Sequence, residues 1–205
     1  MMNVVNLFPG SWGSNCYIIS DSGRAAVIDP SASAKGILDY LNKNNLTLDF
    51  IILTHAHFDH ILSLDTLRDA TNAPAYIHKD DADSLSDGRK NAFYTFFGQD
   101  KRYRGAERTL DNGDILTLGN SKLKIISTPG HTKGSICILT DDGKLFTGDT
   151  LFADSYGRCD LYSGNSSQLW ASLKSLRSLN GNLKIYPGHG MESKLSHALD
   201  VVEYL

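Results

Sequence analysis

A dense group of metal-binding side chains directly follows an apolar run in the first third of the chain. After the run FIIL, the motif THAHFDH at 54–60 places three of the chain's seven histidines and one aspartate within six positions. These residues are His55, His57, Asp59 and His60. Protonated imidazoles so close together would repel one another, whereas a divalent cation favours their neutral form. The pattern therefore predicts a metal site, formed either by one face of a continuing strand or by a loop at the strand's carboxyl end.

Three further candidate ligands occur later, each at the end of a strand-like run and each directly after a glycine. They are His131 in TPGHTKGS, Asp149 in FTGDTLF and His189 in YPGHG. A glycine lets the backbone turn sharply and approach a crowded centre. Five histidines and two aspartates exceed the three protein ligands that one catalytic zinc typically takes, and they suit two metals that share a carboxylate and a hydroxide. The residues thus indicate a binuclear hydrolytic centre, to which His78 and His197 are not assigned.

Short apolar runs bounded by turn residues predict two strand-rich halves, each followed by helices. In the first half the predicted strands are NCYIIS, AAVIDP and FIIL, with helices at about 33–44 and 61–70. In the second half they are DILTL, KLKIIST, SICILT, KLFTGD and LKIYP, with helices at about 166–178 and from about Lys194 onwards. This order predicts two sheets packed together with helices outside. The length of 205 residues predicts a single domain over 1–205.

Composition and charge limit the classes of partner. Hydrophobic residues make up 41% of the chain and the net charge is -3, so no overall basic field attracts nucleic acid or an anionic membrane. No window resembles a membrane span or a secretory signal, and three cysteines without a CxxC pair are typical of a reducing compartment. We therefore predict a cytoplasmic protein that binds neither nucleic acid nor membrane. Nothing in the sequence indicates its oligomeric state.

One internal segment differs in composition from the rest of the chain. Residues 89–108 contain six arginines or lysines, two acidic residues and five phenylalanines or tyrosines. Long segments without a strong secondary-structure pattern often carry function. Two interpretations of this segment are open at this point. It forms a substrate-facing lid or an oligomer contact, or it is an insertion that packs its own aromatic side chains.

Four motifs resemble, in order, those of the metallo-β-lactamase fold superfamily: THAHFDH, TPGHTKGS, FTGDTLF and YPGHG. They span residues 54–190 and are most similar to the glyoxalase II (hydroxyacylglutathione hydrolase) branch. The stretch AVIDP also resembles an early motif of the family. The resemblance implies an α+β, four-layer αββα sandwich, in which two mixed β-sheets pack together, helices lie outside, and the site runs along one sheet edge.

The resemblance also implies a role for each candidate residue. The first metal would be held by His55, His57 and His131. The second would be held by Asp59, His60 and His189, and Asp149 would bridge the two. Asp59 and His60 are the predicted catalytic residues as well, and Asp29 would support the metal loop through hydrogen bonds. The predicted cofactors are two divalent metal ions, zinc in the first instance, with iron or manganese as alternatives.

The activity implied by the resemblance is hydrolysis of a small-molecule thioester or ester, with thioesters of the hydroxyacylglutathione type as first candidates. A thiolate leaving group needs little protonation, so no separate general acid is required. Arg158 in GRCDL matches a basic residue that contacts a carboxylate of the thiol carrier, and Lys133 is a second candidate for substrate binding. A structural ion pair between Arg158 and Asp160 is the alternative interpretation of the arginine.

Two departures from the glyoxalase II pattern bear on the substrate. The residues ILSL follow the first motif, where the family often has a small residue. The C-terminal helical domain that binds glutathione in typical glyoxalase II enzymes has no counterpart in the sequence. We therefore expect hydrolysis of hydroxyacylglutathione with weak binding.

Other activities of the same fold are alternatives. A persulfide dioxygenase would use a single iron held by two histidines and one aspartate, and a lactone or ester hydrolase would use the binuclear centre. His189 completes the second metal group and therefore favours hydrolysis. A nuclease would need a basic surface, and β-lactamases often carry a cysteine at the position of Asp149.

Overall fold

Two six-stranded mixed sheets lie face to face, with helices packed on their outer faces. This computed structural model describes residues 1–7 and 13–203. The arrangement confirms the predicted α+β four-layer αββα sandwich. Within the described ranges, no helix is long and apolar enough to cross a membrane.

The first sheet is built from the N-terminal half of the chain. Its strands are β1 (Asn3–Leu7), β2 (Cys16–Asp21), β3 (Arg24–Ile28), β4 (Thr47–Ile52), β5 (Ala75–His78) and β6 (Arg108–Leu110), and they lie in chain order. The first three strands are antiparallel and the pairs from β3 to β6 are parallel. Parallel pairs need crossover connections. Those connections contain α1 (Ala34–Lys43), α2 (Leu64–Thr71) and α3 (Phe93–Phe97).

The second sheet is built from the C-terminal half. Its strands are β7 (Ile115–Leu118), β8 (Ser121–Ser127), β9 (Ile136–Thr140), β10 (Lys144–Gly148), β11 (Lys184–Pro187) and β12 (Ser193–Lys194), in the order β12-β11-β10-β9-β8-β7. The β10–β11 pair is parallel and is connected through α4 (Ser166–Leu176), whereas the other neighbours are antiparallel. The last helix, α5 (Leu195–Glu203), follows β12 directly.

Alternating side chains of the strands divide the apolar core into three layers. Because neighbours along a strand point to opposite faces, a run such as CYIIS fills two layers at once. In β2, Ile18 packs on the side of α1 and α2, whereas Ile19 faces the second sheet. On the far side of the second sheet, Leu145 packs with Leu173 of α4 and Leu199 of α5. The central strands β2, β3, β9 and β10 are therefore buried on both faces, and their ends and loops are available for a site.

Every predicted strand and helix is present, with shifts at the ends. The helix predicted at 61–70 begins only at Leu64, because a 3-10 turn (Phe58–His60) and the Ser63 cap precede it. Four short strands, β1, β5, β6 and β12, were not predicted. They have between two and five residues, so the sequence offers few positions at which alternation could show.

Candidate metal centre

A loop after β4, and not a continuation of the strand, carries the first group of candidate ligands. The strand ends at Ile52, and the 3-10 turn Phe58–His60 closes the loop. His55 and His57 are buried in irregular backbone between these two elements, whereas Asp59 is half-buried. The loop alternative is therefore the correct one. It turns polar side chains toward one point while the apolar strand stays in the core.

Three histidines form the first cluster of possible metal ligands. The Nε2 atom of His131 lies 3.2 Å from Nε2 of His55 and 2.8 Å from Nδ1 of His57. All three rings are buried. His131 comes from the loop after β8, so two distant parts of the chain meet here. Their nitrogen atoms lie within 4.8 Å of one another, as donors to a single ion must.

A second cluster lies beside the first and shares a carboxylate with it. The Nε2 atom of His189 lies 3.3 Å from Nε2 of His60 and 3.2 Å from Oδ2 of Asp59. The Asp149 carboxylate stands between the clusters, with Oδ1 3.3 Å from His60 and Oδ2 3.5 Å from both His131 and His189. The structure thus brings all seven predicted ligands together, in the two groups expected.

The hydrogen-bond partners of the rings assign their protonated nitrogens. Nδ1 of His131 lies 2.7 Å from the carbonyl oxygen of Arg158, which can only accept, so this nitrogen carries the proton. Nδ1 of His60 likewise donates to the Asp29 carboxylate at 2.9 Å. The Thr54 hydroxyl donates to Asp29 and can therefore accept from Nδ1 of His55 at 3.1 Å. In each neutral ring the Nε2 lone pair consequently points into the cluster.

This donor set fits metal ions. Facing lone pairs on His55 and His131, 3.2 Å apart, repel one another unless a cation lies between them. The buried Oδ1 atom of Asp149 also has no hydrogen bond of good geometry, although Nε2 of His60 lies 3.3 Å away. A buried carboxylate oxygen without a donor is costly, and a metal ion would satisfy it. Mixed imidazole and carboxylate ligands suit divalent zinc, iron or manganese.

Electrostatics divide the cluster into neutral and charged members. Burial, reinforced by the nearby His131, lowers the pKa of His57 to about 3. Burial and the surrounding histidines also hold the pKa of His55 well below its usual value. Burial acts in the same direction on His60, but the Asp149 and Asp59 carboxylates outweigh it and raise the pKa of His60 well above the usual value. A proton can thus take the place of a cation beside Asp149.

Asp29 lies where the family motif implies a supporting residue. Its Oδ1 accepts from the Thr54 backbone N–H at 2.8 Å, and its Oδ2 accepts from the Thr54 hydroxyl at 2.6 Å and from His60. The residue is buried and adopts a left-handed backbone (φ 52°), which aspartate tolerates better than most side chains. One carboxylate therefore fixes both the start of the ligand loop and the orientation of His60.

A buried carboxylate that was not predicted connects two of the ligand loops. Oδ2 of Asp81 accepts from the Ala56 N–H at 3.2 Å and from the Thr132 hydroxyl at 2.7 Å, and Oδ1 accepts from the Gly134 N–H at 2.8 Å. Ala56 lies between two histidine ligands, and Thr132 follows His131 in the chain. Burial raises the pKa of Asp81, although these donors oppose the shift. The only sequence signal, the acidic run KDDAD, resembles an exposed surface.

The segment before β2 holds the loop that carries His189, and it was also not predicted. The Asn15 backbone N–H donates to Gly188 at 2.7 Å, and its side-chain amide donates to Pro187 at 2.8 Å and Gly190 at 3.0 Å. The Ser14 hydroxyl donates to the carbonyl oxygen of Asp59 at 2.6 Å. Short polar residues before a strand give no particular signal of such a role.

Gly188 illustrates how closely the backbone approaches the ligands. A Cβ atom at this position would lie 2.1 Å from Oδ1 of Asp149 and 2.8 Å from the His60 ring. Contacts this short are essentially absent between real atoms, so no side chain fits here. The expectation that glycines precede ligands in order to allow close approach is met at this position.

A cavity of about 300 Å³ opens onto the clusters, and the two predicted substrate-binding residues differ in their relation to it. Arg158 lines the cavity, and its guanidinium donates two hydrogen bonds of 2.6 Å to the Asp160 carboxylate. Lys133 lies 3.7 Å from Asp80 with an exposed side chain and is not among the described residues that line the cavity. A role of either residue in substrate binding stays a prediction.

The remaining predicted non-ligands lie outside the clusters. The ring of His78 contacts the Ser127 hydroxyl at 3.0 Å and the Asp80 backbone N–H, so it joins β5 to β8. His197 is exposed on α5. Neither belongs to a group of possible metal ligands among the described residues.

A match to a known family covers most of the chain and all of the candidate ligands. Residues 9–189 match the family model of the metallo-beta-lactamase superfamily, and this range includes all seven candidate ligands. The chain belongs to the metallo-beta-lactamase superfamily. Membership of this superfamily agrees with the fold and with the order of the ligand motifs.

Curated relatives of this metallo-beta-lactamase superfamily protein include named hydrolases. The chain is 32% identical over 182 residues to the probable metallo-hydrolase YqgX of Bacillus subtilis, covering 88% of this chain and 86% of the relative. It is 31% identical over 191 residues to the probable polyketide biosynthesis zinc-dependent hydrolase PksB of the same species, covering 92% and 78%. A hydroxyacylglutathione hydrolase of Pseudoalteromonas translucida is 34% identical over 174 residues, which cover 85% of this chain and 59% of that relative. These similarities support a metallo-hydrolase and do not single out the glyoxalase II branch.

Solved structures of the superfamily share the fold over almost the entire chain. The BLEG-1 B3 metallo-beta-lactamase has a TM-score of 0.89 and 31% identity, covering 98% of this chain and 97% of that one. TTHA1623 in a di-iron-bound form has a TM-score of 0.86 and 29% identity, covering 98% and 100%. ETHE1 from Myxococcus xanthus has a TM-score of 0.78 and 27% identity, covering 95% and 80%. A zinc-dependent relative and a di-iron structure are thus both among the proteins similar to this one.

Proposed function

We propose that this protein is a hydrolase that uses two divalent metal ions to cleave small-molecule thioesters or esters. Thioesters of the hydroxyacylglutathione type are the first candidates within this class. The observation that carries the proposal is the Asp149 carboxylate, which reaches His60 on one side and His131 on the other. Two complete ligand groups that share one carboxylate suit a binuclear centre.

The reaction adds water across the carbonyl–sulfur or carbonyl–oxygen bond of the substrate. The water oxygen forms a bond to the carbonyl carbon, which becomes part of the carboxylic acid product. The bond from that carbon to sulfur or to the ester oxygen breaks, and the thiol or alcohol leaves with one proton of the water. Metal ions held by the seven ligands would polarise the carbonyl and lower the pKa of the attacking water.

Residues of the chain itself contribute position and charge to this reaction. Asp59 lines the cavity, and although burial opposes it, His60 and His189 hold the pKa of Asp59 below its usual value. An ionised carboxylate at the cavity wall can orient the water for attack. Phe58 and Phe152 form part of the same wall and exclude bulk water from the reacting carbonyl.

Persulfide dioxygenation at a single iron is the second candidate function. Such a site would need two histidines and one aspartate, and the cluster also contains a group of that composition, His55, His60 and Asp149. The presence of His189 beside Asp59 favours the hydrolase, because a mononuclear site leaves both of these residues without a role.

Metal analysis combined with substrate assays tests the proposal. We expect close to two transition-metal ions per chain after reconstitution, and turnover of thioesters or esters that His57→Ala and Asp149→Ala each lower by several orders of magnitude. His197→Ala removes an exposed imidazole outside the site and serves as the matched control. One iron per chain together with oxygen consumption on a persulfide would establish the dioxygenase instead. Failure to bind a second metal would exclude the binuclear hydrolase.

A further inference from the structure

Apolar side chains line the same cavity as the candidate ligands. These residues are Phe58, Ala92, Phe96, Phe152 and Leu161. Ala92 and Phe96 belong to the segment 89–108, whose role the sequence left open. We call these five residues the apolar wall. Its position means that part of this segment faces the substrate.

The ring of Phe96 presents apolar surface beside the cavity. Phe96 packs against Phe58 with ring centroids 5.4 Å apart, yet 48% of its surface is exposed. Exposed apolar surface in a concave site is stabilised when a ligand covers it. An apolar group of a bound substrate would provide that cover.

The short helix that carries Phe96 is held in place before any ligand binds. The backbone carbonyl oxygen of Asn91 accepts from the Phe58 N–H at 2.9 Å, and the Asn91 side chain donates to Lys101 at 2.9 Å. Left-handed residues bound the helix on both sides, Ala92 with φ 66° and Gly98 with φ 67°. An ordered wall needs little rearrangement to bind a ligand, which favours affinity.

None of the six cations of the segment lines the cavity, and four of them contact other groups. Arg89 lies over the ring of Tyr94 at 4.2 Å, and Lys90 pairs with Asp83. Arg102 pairs with Asp100.

Arg104 is likewise paired, with Asp69. Among the described residues, the lysine or arginine that lines the cavity is Arg158, which is bonded to Asp160. A strongly anionic carrier would therefore find few free cations in the cavity.

We propose that the apolar wall is a subsite for a neutral, apolar substituent of the substrate, either an alkyl chain or an aryl ring, next to the scissile carbonyl. This inference rests on the proposed hydrolase function, and within its esters and thioesters it favours neutral apolar substrates over hydroxyacylglutathiones. Each methylene of the substrate that the wall buries should raise kcat/KM about fourfold. Esters and thioesters with larger apolar groups are consequently better substrates than small polar ones.

Two substrate series test the subsite and locate the substituent. In the first, the acyl group grows from acetyl to hexanoyl on a constant neutral thiol, N-acetylcysteamine. In the second, the acyl group stays acetyl and the thiol grows from ethanethiol to hexanethiol. We expect kcat/KM of the metal-replete protein to rise at least tenfold along one series, which then identifies the side of the substrate that contacts the wall. A flat response in both series would overturn the proposal, as would a preference for S-lactoylglutathione over every apolar thioester.

A matched pair of variants places the effect at the wall. Phe96→Ala should lower kcat/KM for the hexyl substrates by a much larger factor than for acetyl thioesters of the small thiol, and so remove most of the gain along the series. Tyr94→Ala removes a ring with 39% of its surface exposed on the same helix, but Tyr94 does not line the cavity, so the gain should persist. An equal gain in kcat/KM along the series in the two variants would show that Phe96 is not part of the subsite.

A binding measurement separates the failure of this inference from the failure of the proposed function. N-hexylacetamide, N-methylhexanamide and N-methylacetamide resist hydrolysis, and calorimetry measures their affinity whether or not any ester is turned over. We expect one of the two long amides, extended on the leaving-group side or on the acyl side, to bind at least tenfold more tightly than N-methylacetamide, with the difference reduced in Phe96→Ala. If no ester is cleaved but this difference persists, the hydrolase proposal fails and the subsite stands. Equal affinities of all three amides would overturn the subsite.

Discussion

The Nδ1 atom of His60 lies 2.9 Å from Oδ2 of Asp29, a residue separated from it by the whole of α1 and β4. This contact fixes the tautomer that turns Nε2 of His60 toward Asp149. Replacing Asp29 by asparagine keeps the left-handed backbone favourable but removes the charge that orients the ring. We expect affinity for the second metal ion to fall roughly tenfold to a hundredfold. Chelator competition measures it, and Asp39→Asn on the exposed surface of α1 is the control.

Asp81 is expected to act through the loops and not through the substrate. In Asp81→Asn one of the two carboxylate oxygens becomes an NH₂ group, so at least one of the donors from Ala56, Thr132 and Gly134 loses its acceptor. The loss of a buried partner should lower the free energy of unfolding by about 1–3 kcal/mol. Chemical denaturation of the metal-free protein measures this.

The same variant should hold metal less tightly, because Asp81 joins the His55–His57 loop to the His131 loop. Asp83 lies two residues from Asp81 on the 3-10 helix Lys79–Ser86, with an exposed carboxylate, and Asp83→Asn should change metal affinity little. Equal metal affinity in Asp81→Asn and the natural protein would show that the bridge contributes only to folding.

Metal binding should release protons near neutral pH. In the metal-free protein, although burial opposes the shift, the Asp149 and Asp59 carboxylates raise the pKa of His60 well above its usual value, so the ring keeps its proton at pH values at which an ordinary histidine has lost it. A metal ion requires the neutral ring. Affinity should therefore increase as pH rises, and it should level off once pH exceeds the raised pKa of His60.

Calorimetry in buffers of different ionisation enthalpy counts the protons released. We expect about one or more per chain, because the pKa of His189 is raised as well. Although burial opposes the shift, the Asp59 hydrogen bond raises this pKa. The metal-free protein should show the linked effect on its own stability. The contribution of charged His60 to the free energy of unfolding is present in full below the ordinary histidine pKa. It is lost as pH rises through the pKa of His60 in the folded protein. Metal affinity independent of pH would contradict this assignment.

Arg158 offers a prediction that depends on the substrate. If its guanidinium binds a carboxylate of the thiol carrier, Arg158→Ala should raise KM for S-lactoylglutathione about tenfold, since a charged hydrogen bond contributes about 1.5–3 kcal/mol. kcat should change less. KM for neutral apolar thioesters should stay the same. Asp160→Asn frees the guanidinium and should lower KM for the glutathione substrate, because the competing carboxylate is gone.

The sequence predicted those parts of the site that are compact in the chain. The histidines of THAHFDH lie within six positions, and Gly130, Gly148 and Gly188 mark the other ligand loops, so local pattern and chemistry were sufficient. The short apolar runs that predicted β2 and β8 were equally local. Contacts between segments far apart in the chain have no comparable local sequence pattern. Asp81 meets Gly134 only because β5 and the loop after β8 lie at the same edge, and Asn15 meets Pro187 across the two sheets.

The backbone crowding around Asp149 has an evolutionary consequence. A Cβ atom at Gly157 would lie 2.0 Å from the Asp149 carbonyl oxygen, and a Cβ atom at Gly188 would lie 2.1 Å from Oδ1. A mutation that adds a side chain at either position would displace Asp149, so we expect selection to remove it whatever the substrate. Phe96 carries no such constraint, since nearly half of its surface is open (48%). We therefore expect related proteins to differ in sequence along α3, whereas the ligand loops keep the same residues.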